Sequence, residues 1–306
     1  MSKVKLSEAT LFDDIYLLKG TTLRFISYSV VAIVIGFVTH FPVKSILINN
    51  IEKALATLPC RLEYQALDLG FFPPAVMLKS AKVPAGCFGD NGQIKLSQFK
   101  INLGLPSLYP LGLKLHTLVT SDKSVLHIYP LLTFSGIVIK IEDSVIDHAL
   151  INALSSKIKI RGKFNPEILM KLKGNVVESA EFKIEGQQFQ IMGQNIMGFE
   201  LPDLNFQKLS TAGTLEGENL NLKKAELGDN NSPVVARIKG LIRLNQVNAL
   251  FSNLDLEAEM KFSDQFLQNF SILNLVWRLD QQTKHDGYYK MRLRGPLTSL
   301  QNPEFL

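Results

Sequence analysis

Apolar and polar residues alternate with a period of two along most of the chain beyond residue 60. The run 157–164, KIKIRGKF, places basic side chains at one set of positions and apolar side chains or glycine at the other. Such alternation is typical of strands with one dry face and one solvated face, the pattern of an antiparallel sheet. The same alternation recurs in five further runs: 180–185, 236–244, 254–262, 273–280 and 289–294.

Less regular strands and clear turn signals extend this pattern over the rest of the chain. Glycine, proline, asparagine and aspartate cluster between the strands, as expected of turns. The fold class predicted is mainly β, a long antiparallel meandering sheet that forms one domain over residues 59–306. The additional strands are expected at 61–69, 75–83, 93–103, 112–120 and 124–141, the turns at 70–74, 86–92, 106–112, 228–231 and 286–287, and short helices at 144–154, 245–251 and 263–270.

A sheet with one apolar face must cover that face. Alternating strands usually bury it as the core of a sandwich or half-barrel. The sheet can instead remain an open trough whose dry face holds lipid. The alternation leaves both interpretations open, and the side chains expected to face such a groove are Ile158, Ile160, Phe182, Ile184, Leu256, Met260, Leu275 and Trp277.

One apolar run near the N-terminus predicts a membrane anchor. Residues 25–41, FISYSVVAIVIGFVTHF, contain no Lys, Arg, Asp or Glu. At about 1.5 Å per residue they would span roughly 26 Å, close to the lower limit for a transmembrane helix. The run ends in bulky residues where a cleaved signal peptide would need small ones. We therefore expect an uncleaved anchor, with residues 1–24 as a cytoplasmic tail and the remainder of the chain in the periplasm.

The segment 42–58 predicts an amphipathic helix directly after the anchor. Apolar residues recur there at helical spacing, Pro42 suits a helix start, and Pro59 ends the pattern. Such a helix would either cover one end of the following sheet or lie on the bilayer surface, and we favour the first role.

Composition and motifs point away from catalysis and from nucleic acid. A formal net charge of +5 over 306 residues is too dilute for a nucleic-acid footprint. The five histidines are scattered along the chain, and none has a second ligand at metal-binding spacing. His148 follows Asp147, but no nucleophile motif accompanies the two residues. We therefore expect them on the surface of a helix and not in a catalytic dyad. We expect no enzymatic activity, no cofactor, no metal and no nucleic-acid partner.

Cys60 and Cys87 are the two cysteines of the chain. An oxidising compartment such as the periplasm would allow them to form a disulfide. The alternative is two separate small apolar side chains, and the sequence does not decide between these readings.

The layout resembles two related families. The sequence GFFPPAVMLKSAKV at 70–83, after an anchor and an amphipathic helix, is similar to the start of AsmA-like proteins, as is QIKLSQFKINLGLPSLYPLG at 93–112. Short strands ending in glycine and the terminal stretch 287–305, GYYKMRLRGPLTSLQNPEF, resemble the N-protein family of the type II secretion system, in the version found in delta-type bacteria and spirochaetes.

The resemblance implies a single-pass protein of the bacterial inner membrane with a periplasmic β domain shaped as a curved, AsmA-like trough. It implies a non-enzymatic accessory role in type II secretion, with the other secretion components and the membrane as partners. The alternative that it implies is a module for phospholipid binding or transfer in envelope homeostasis. The family supplies no catalytic residues.

Overall fold

The computed structural model divides the chain into two units, Met1–Thr57 and Leu58–Leu306. The residues described are 24–33, 36, 43–57, 62–71, 73–84, 93–154, 159–174, 176–196, 199–201, 203–245, 248, 251–271, 273, 277–297 and 303–306.

The first unit is helical at all of its described residues except Thr57, which lies in a turn. Residues 24–33 and 36 are helical, and a second helix, α1, covers Val43–Ala56 inside the segment 42–58 expected to be amphipathic. Among the residues that the structure describes, no helix has both the length and the apolar character needed to cross a bilayer. Residues 34–35 and 37–41 of the predicted anchor lie outside the described residues, so the anchor stays a prediction, as does the role of α1.

The second unit is built on one long antiparallel sheet, as the alternation predicts. Within the described residues, each strand of this sheet pairs with the next strand along the chain, except for a few local insertions. β4 pairs only with β5, and β10 and β11 form a separate hairpin between β9 and β12. The strands are β1 Ala66–Phe71, β2 Pro74–Val83, β3 Ile94–Leu103, β4 Ser107–Leu108, β5 Leu111–Ser121, β6 Ser124–Thr133, β7 Gly136–Asp147, β8 Ile160–Lys173, β9 Val176–Ile191, β10 Gln194–Ile196, β11 Phe199–Leu201, β12 Leu204–Glu216, β13 Asn219–Leu227, β14 Val234–Arg243, β15 Asn253–Phe262, β16 Tyr289–Pro296 and β17 Glu304–Phe305.

This meander gives the sheet two distinct ends. The turns after β1, β3, β6, β8 and β12 lie at one end, which we call the tip end. The turns after β2, β5, β9 and β13 lie at the opposite end, which we call the core end. Because side chains alternate along each strand, every strand contributes to one apolar face and one polar face between these two ends.

The buried core lies at the core end of the apolar face. Its most covered members include Met291, Ala258 and Phe206, whose exposed fractions are 1%, 2% and 2%. Aromatic rings pack closely there, with Phe189 and Phe206 stacked at 5.6 Å between centroids. The remaining buried side chains of this core cluster are Phe164, Phe189, Leu204, Val234, Phe262, Phe266, Leu279, Tyr289.

Two short helices follow strands that finish at the core end. Helix α2, His148–Leu154, follows β7, and Asp147 Oδ1 accepts the backbone N–H of Ala149 at 3.1 Å. Helix α3, Asp264–Asn269, follows β15 and begins where Ser263 Oγ accepts the N–H of Phe266 at 3.1 Å. A side-chain oxygen that satisfies a free N–H in the first turn is the usual cap of a helix start. The helix expected over 263–270 is thereby confirmed.

In the segment 273–280 the described residues, 273 and 277–280, are not in a strand, so the strand expected there is wrong at these positions. Residues 273 and 277 are helical and Leu279–Gln281 form a 3₁₀ turn. The apolar residues there alternate, but together with Phe266 and Phe270 they also recur at the helical spacing of three and four. Packing selects the helical pattern, because Phe270, Leu273 and Trp277 all contact the core cluster.

Two further expectations at β6 and β7 are corrected. The single strand expected over 124–141 is interrupted by a turn at residues 134–135 that lacks glycine and proline. Thr133 Oγ1 stabilises this turn by donating to the carbonyl of Gly136 at 2.7 Å. The helix expected over 144–154 begins only at His148, because residues up to Asp147 remain in β7.

The strands β12 and β13 were not expected from the alternation. Irregular register in both strands explains this. The pairing of β12 with β9 shifts on both sides of Gln207, whose φ is +58°, and the pairing of β13 with β14 shifts between Leu222 and Ala225. A bulge of this kind moves the apolar residues out of strict alternation, which hides the strand from a period-two search.

Gly240 on the interior strand β14 tests this packing. Its φ is +139°, and an added Cβ would overlap the carbonyl oxygen of Asp255 on β15. We expect Gly240→Ala to lower the free energy of unfolding by more than about 2 kcal/mol, because strain and overlap act together. Chemical denaturation of the detergent-solubilised chain measures this.

Gly70→Ala is the matched control. A Cβ at Gly70 would meet its nearest atoms at 3.5 Å, an ordinary contact, so its effect should stay within about 0.5 kcal/mol. Equal destabilisation by both substitutions would contradict the described registration of β14 against β15.

Candidate functional site

The apolar face is not covered evenly along the strands. Towards the tip end its side chains are only half-buried, whereas those of the core cluster are almost fully covered. We call this less covered region the open half. Its half-buried members on successive strands include Ile139, Met170, Phe182, Leu222, Ile242, Leu254 and Leu293.

One row of cross-strand neighbours runs through the open half. Phe182 on β9 lies opposite Gly213 on β12, and Gly213 lies opposite Leu222 on β13. Leu222 in turn lies opposite Gly240 on β14, and Gly240 lies opposite Leu256 on β15. Large apolar side chains therefore alternate with glycines across the sheet, and the glycines lower the surface between their neighbours.

The Phe182 ring uses the space that Gly213 provides. A Cβ at Gly213 would lie 2.8 Å from Cζ of Phe182 and 2.7 Å from the carbonyl oxygen of Asn221. Since real Cβ atoms do not approach other atoms so closely, glycine is required for this arrangement. The ring therefore lies across the neighbouring strand and remains half-buried.

The structure separates the eight side chains expected to face a groove. Phe182 and Leu256 belong to the row through the open half, where Leu256 is buried at 7% exposure. Ile158 and Leu275, together with Cys60 and Cys87, lie outside the described residues. The other expected groove residues pack against the core cluster: Ile160, Ile184, Met260 and Trp277.

The polar face of the same strands carries a ladder of oppositely charged neighbours. Asp255 on β15 accepts hydrogen bonds from Arg292 at 2.9 and 3.1 Å and from Arg294 at 3.3 Å. These hydrogen bonds hold the pKa of Asp255 below its usual value, and the largest contribution comes from Arg292. Glu259 pairs with Lys290 at 3.4 Å. The basic run 290–294 thus meets acidic partners on the next strand, and the face is a solvated surface of mixed charge.

Two histidines from adjacent strands meet on the polar face of β5 and β6. His116 Nε2 lies 3.1 Å from His127 Nδ1, and the His116 ring stacks on Tyr129 with centroids 4.7 Å apart. The register of the hairpin places Leu118 directly opposite His127. His116 lies two residues before Leu118 on the same face of β5, so this register could have revealed the pair. In the part of the chain that the structure describes, no three potential metal ligands come together.

The surroundings of His116 disfavour its charged form. Its pKa is lowered by partial burial, by the neighbouring His127 and by Lys100. Asn102 lies opposite His116 on β3, and its buried Oδ1 has no hydrogen-bond partner among the described residues. The cluster can therefore hold His116 as a neutral imidazole, but among the described residues it brings no nucleophile into contact with either ring.

Ser124, Asp147 and His148 also lie close together at the core end. His148 Nδ1 is 3.1 Å from Asp147 Oδ1, and Ser124 Oγ accepts the backbone N–H of Asp147 at 2.9 Å. The serine therefore contacts the backbone of Asp147, and the carboxylate caps α2. This arrangement supports the turn from β7 into α2.

Comparison of the chain with protein-family models, with curated proteins and with solved structures finds no match. The function of the open half is therefore argued from its geometry.

A pH dependence follows from the environment of His116. Because its pKa is lowered in the fold, the unfolded chain binds the proton more tightly, and stability should fall as the pH drops through about 6.5. We expect His116→Gln to show a smaller loss of thermal stability between about pH 7.5 and about pH 5.5 than the parent chain. His285→Gln, an exposed turn position, is the control. The same pH dependence in all three proteins would contradict the account.

Proposed function

We propose that this chain binds lipid, with acyl chains lying on the open half of the apolar face. The observation that carries the proposal is the row from Phe182 to Leu256, in which apolar side chains and glycines form a continuous, partly uncovered surface. In this proposal the sheet is a curved trough of the AsmA-like kind, closed at the core end and open towards the tip end.

The size of the open half suits an acyl chain. From β9 to β15 the row crosses five strands, and strands lie about 4.8 Å apart, so the row is roughly 19 Å long. One leaflet of a bilayer contributes about half of the roughly 30 Å hydrocarbon core. A single acyl chain can therefore lie along the row.

Covering this surface would be favourable. Apolar surface removed from water contributes about 25 cal/mol per Å², and soluble monomers rarely leave large contiguous apolar surfaces uncovered. The described side chains that cover the apolar face, from α2, α3 and residues 270–279, pack against the core cluster. A ligand would take over this role in the open half.

Lipid binding can be tested by photo-crosslinking from the open half. Benzoylphenylalanine in place of Phe182 should give lipid adducts by mass spectrometry when the full chain is irradiated in bacterial membranes. The same group in place of Lys183, the next residue on the opposite face of β9, should give none. Protein-only adducts at 182 in a folded chain, or equal lipid adducts at both positions, would contradict the proposal.

A charged substitution sharpens this test. Leu222→Asp should reduce co-purified lipid several-fold while the chain stays folded, because solvent reaches this half-buried position once lipid has left. Leu241→Asp, on the polar face of β14, should leave the lipid content unchanged. Unfolding of the Leu222 variant would instead show that the open half is an ordinary core.

A second proposed function is the accessory role in type II secretion, held in the inner membrane by residues 25–41 with the β unit in the periplasm. The observation that favours a protein partner is the incomplete pairing of the sheet edges. In the described part of the chain β1 pairs only with β2, and β17 pairs with β16 only at Met291 and Arg292. Exposed strand edges can add a strand from another protein.

Deletion of the gene tests the secretion role. We expect reduced amounts of secreted proteins in culture supernatants, with restoration by the full chain. Normal secretion and normal assembly of the other secretion components in the deletion strain would rule out this second function.

A further inference from the structure

The tip end carries apolar side chains that project almost fully into solvent. Tyr109 and Phe134 are 97% and 95% exposed, and Leu105 and Leu108 are 85% and 86% exposed. Leu111 is also exposed. We call these five residues the tip cluster. Isolated exposed apolar residues are common, but five large apolar side chains in two adjacent connections form a patch that needs an explanation.

Strand pairing brings the two turns of the tip cluster together. Leu108 on β4 lies opposite Leu111 on β5, and the following Gly112 lies opposite Thr133 on β6. The turn that carries Phe134 begins directly after Thr133. The residues 105–111 and residue 134 therefore belong to neighbouring connections at the same end of the sheet.

Polar contacts hold these turns in place while their apolar side chains point outwards. Ser107 is buried and its Oγ donates to the carbonyl of Tyr109 at 3.4 Å. Thr133 Oγ1 donates to the carbonyl of Gly136 and lies 3.1 Å from Ser135 Oγ. The exposure of Tyr109 and Phe134 is thus built into turns with internal hydrogen bonds.

Lysine is the charged residue nearest to the tip cluster in sequence. Residues 103–114 contain Lys114 and no aspartate or glutamate, whereas Lys140, further along β7, is paired with Glu142. Lys171 and Lys173 lie on β8, near the next turn at the same end. Leucine, tyrosine and phenylalanine flanked by lysine are the residues that insert at the interface of an anionic bilayer.

From these observations we propose that the tip cluster inserts into the surface of an anionic phospholipid bilayer. These side chains are exposed on two neighbouring connections at one end of the sheet, which suits penetration between headgroups. The flanking lysines would contact phosphate groups at the same depth, since lysine side chains extend towards the polar interface.

The docking of the tip cluster extends the proposed lipid binding by the open half, and the function of the docking rests on that proposal. Leu103, Leu113 and Leu132, at the ends of β3, β5 and β6, lie on the apolar face and are themselves exposed. They connect the tip cluster to the open half along the same face. A bilayer at the tip end would therefore supply acyl chains directly to the open half.

Photo-crosslinking from the tips tests the docking. The full chain carries benzoylphenylalanine in place of Tyr109 or Phe134 and is reconstituted into vesicles of phosphatidylethanolamine and phosphatidylglycerol. We expect phospholipid adducts at both positions and several-fold fewer at Lys123, an exposed turn residue at the core end. Because all three proteins carry the same N-terminal segment, membrane attachment by that segment affects them equally.

Other results would overturn the docking. Adducts to a second copy of the chain, adducts to another protein, or lipid yields no higher than at Lys123 each contradict it. The result at Phe182 is read separately. Lipid adducts at position 182 without lipid adducts at the tips would overturn the docking and leave the proposed lipid binding intact. Lipid adducts at the tips without lipid adducts at 182 would overturn the proposed lipid binding and leave the docking intact.

Discussion

The hydrogen-bonded ladder of one antiparallel sheet is the constraint on which the rest of the second unit depends. Each strand must place alternate side chains on opposite faces, so a sequence that alternates apolar and polar residues produces one continuous apolar face. The described strands run from β1 to β17 without pairing back to β1. An open ladder of this kind leaves its apolar face uncovered unless the sheet curls over itself or other elements of the chain cover it.

At the core end of the sheet, other elements of the chain cover the apolar face. After β15, the capped helix α3 packs its apolar side chains onto the core cluster, and Phe270, Leu273 and Trp277 pack there as well. α2 contributes Ile151 to the same packing. At the tip end the strands close with short turns, and the apolar side chains there remain half-buried or exposed. The difference between the two ends is the physical basis of the proposed lipid site.

Much of the architecture was predictable from the sequence, because strict alternation of apolar and polar residues identifies strands that have one covered face. The strand at 254–262 is observed as β15, Asn253–Phe262, almost as expected. Alternation failed where other interactions dominate. The bulge at Gln207 hides β12, and the residues around Leu273 and Trp277 alternate while also matching a helix, so that packing on the core decides their structure.

The candidate site was less predictable than the fold. Periodicity assigns side chains to a face but does not tell which part of that face other elements cover, so Ile184 and Phe182, two residues apart on β9, fall into different environments. The pairing of His116 with His127 needed the register of a hairpin, and the tip cluster needed the exposure of each turn residue.

The central claim is that the apolar face is closed at the core end and open towards the tips. Cysteine accessibility tests it directly, in a chain whose Cys60 and Cys87 are replaced by serine. A maleimide should label Leu222→Cys and Ile242→Cys readily in the folded, delipidated chain. It should label Ala258→Cys and Met291→Cys, at positions of 2% and 1% exposure, only after denaturation. Equal protection of all four positions in the folded chain would contradict the account.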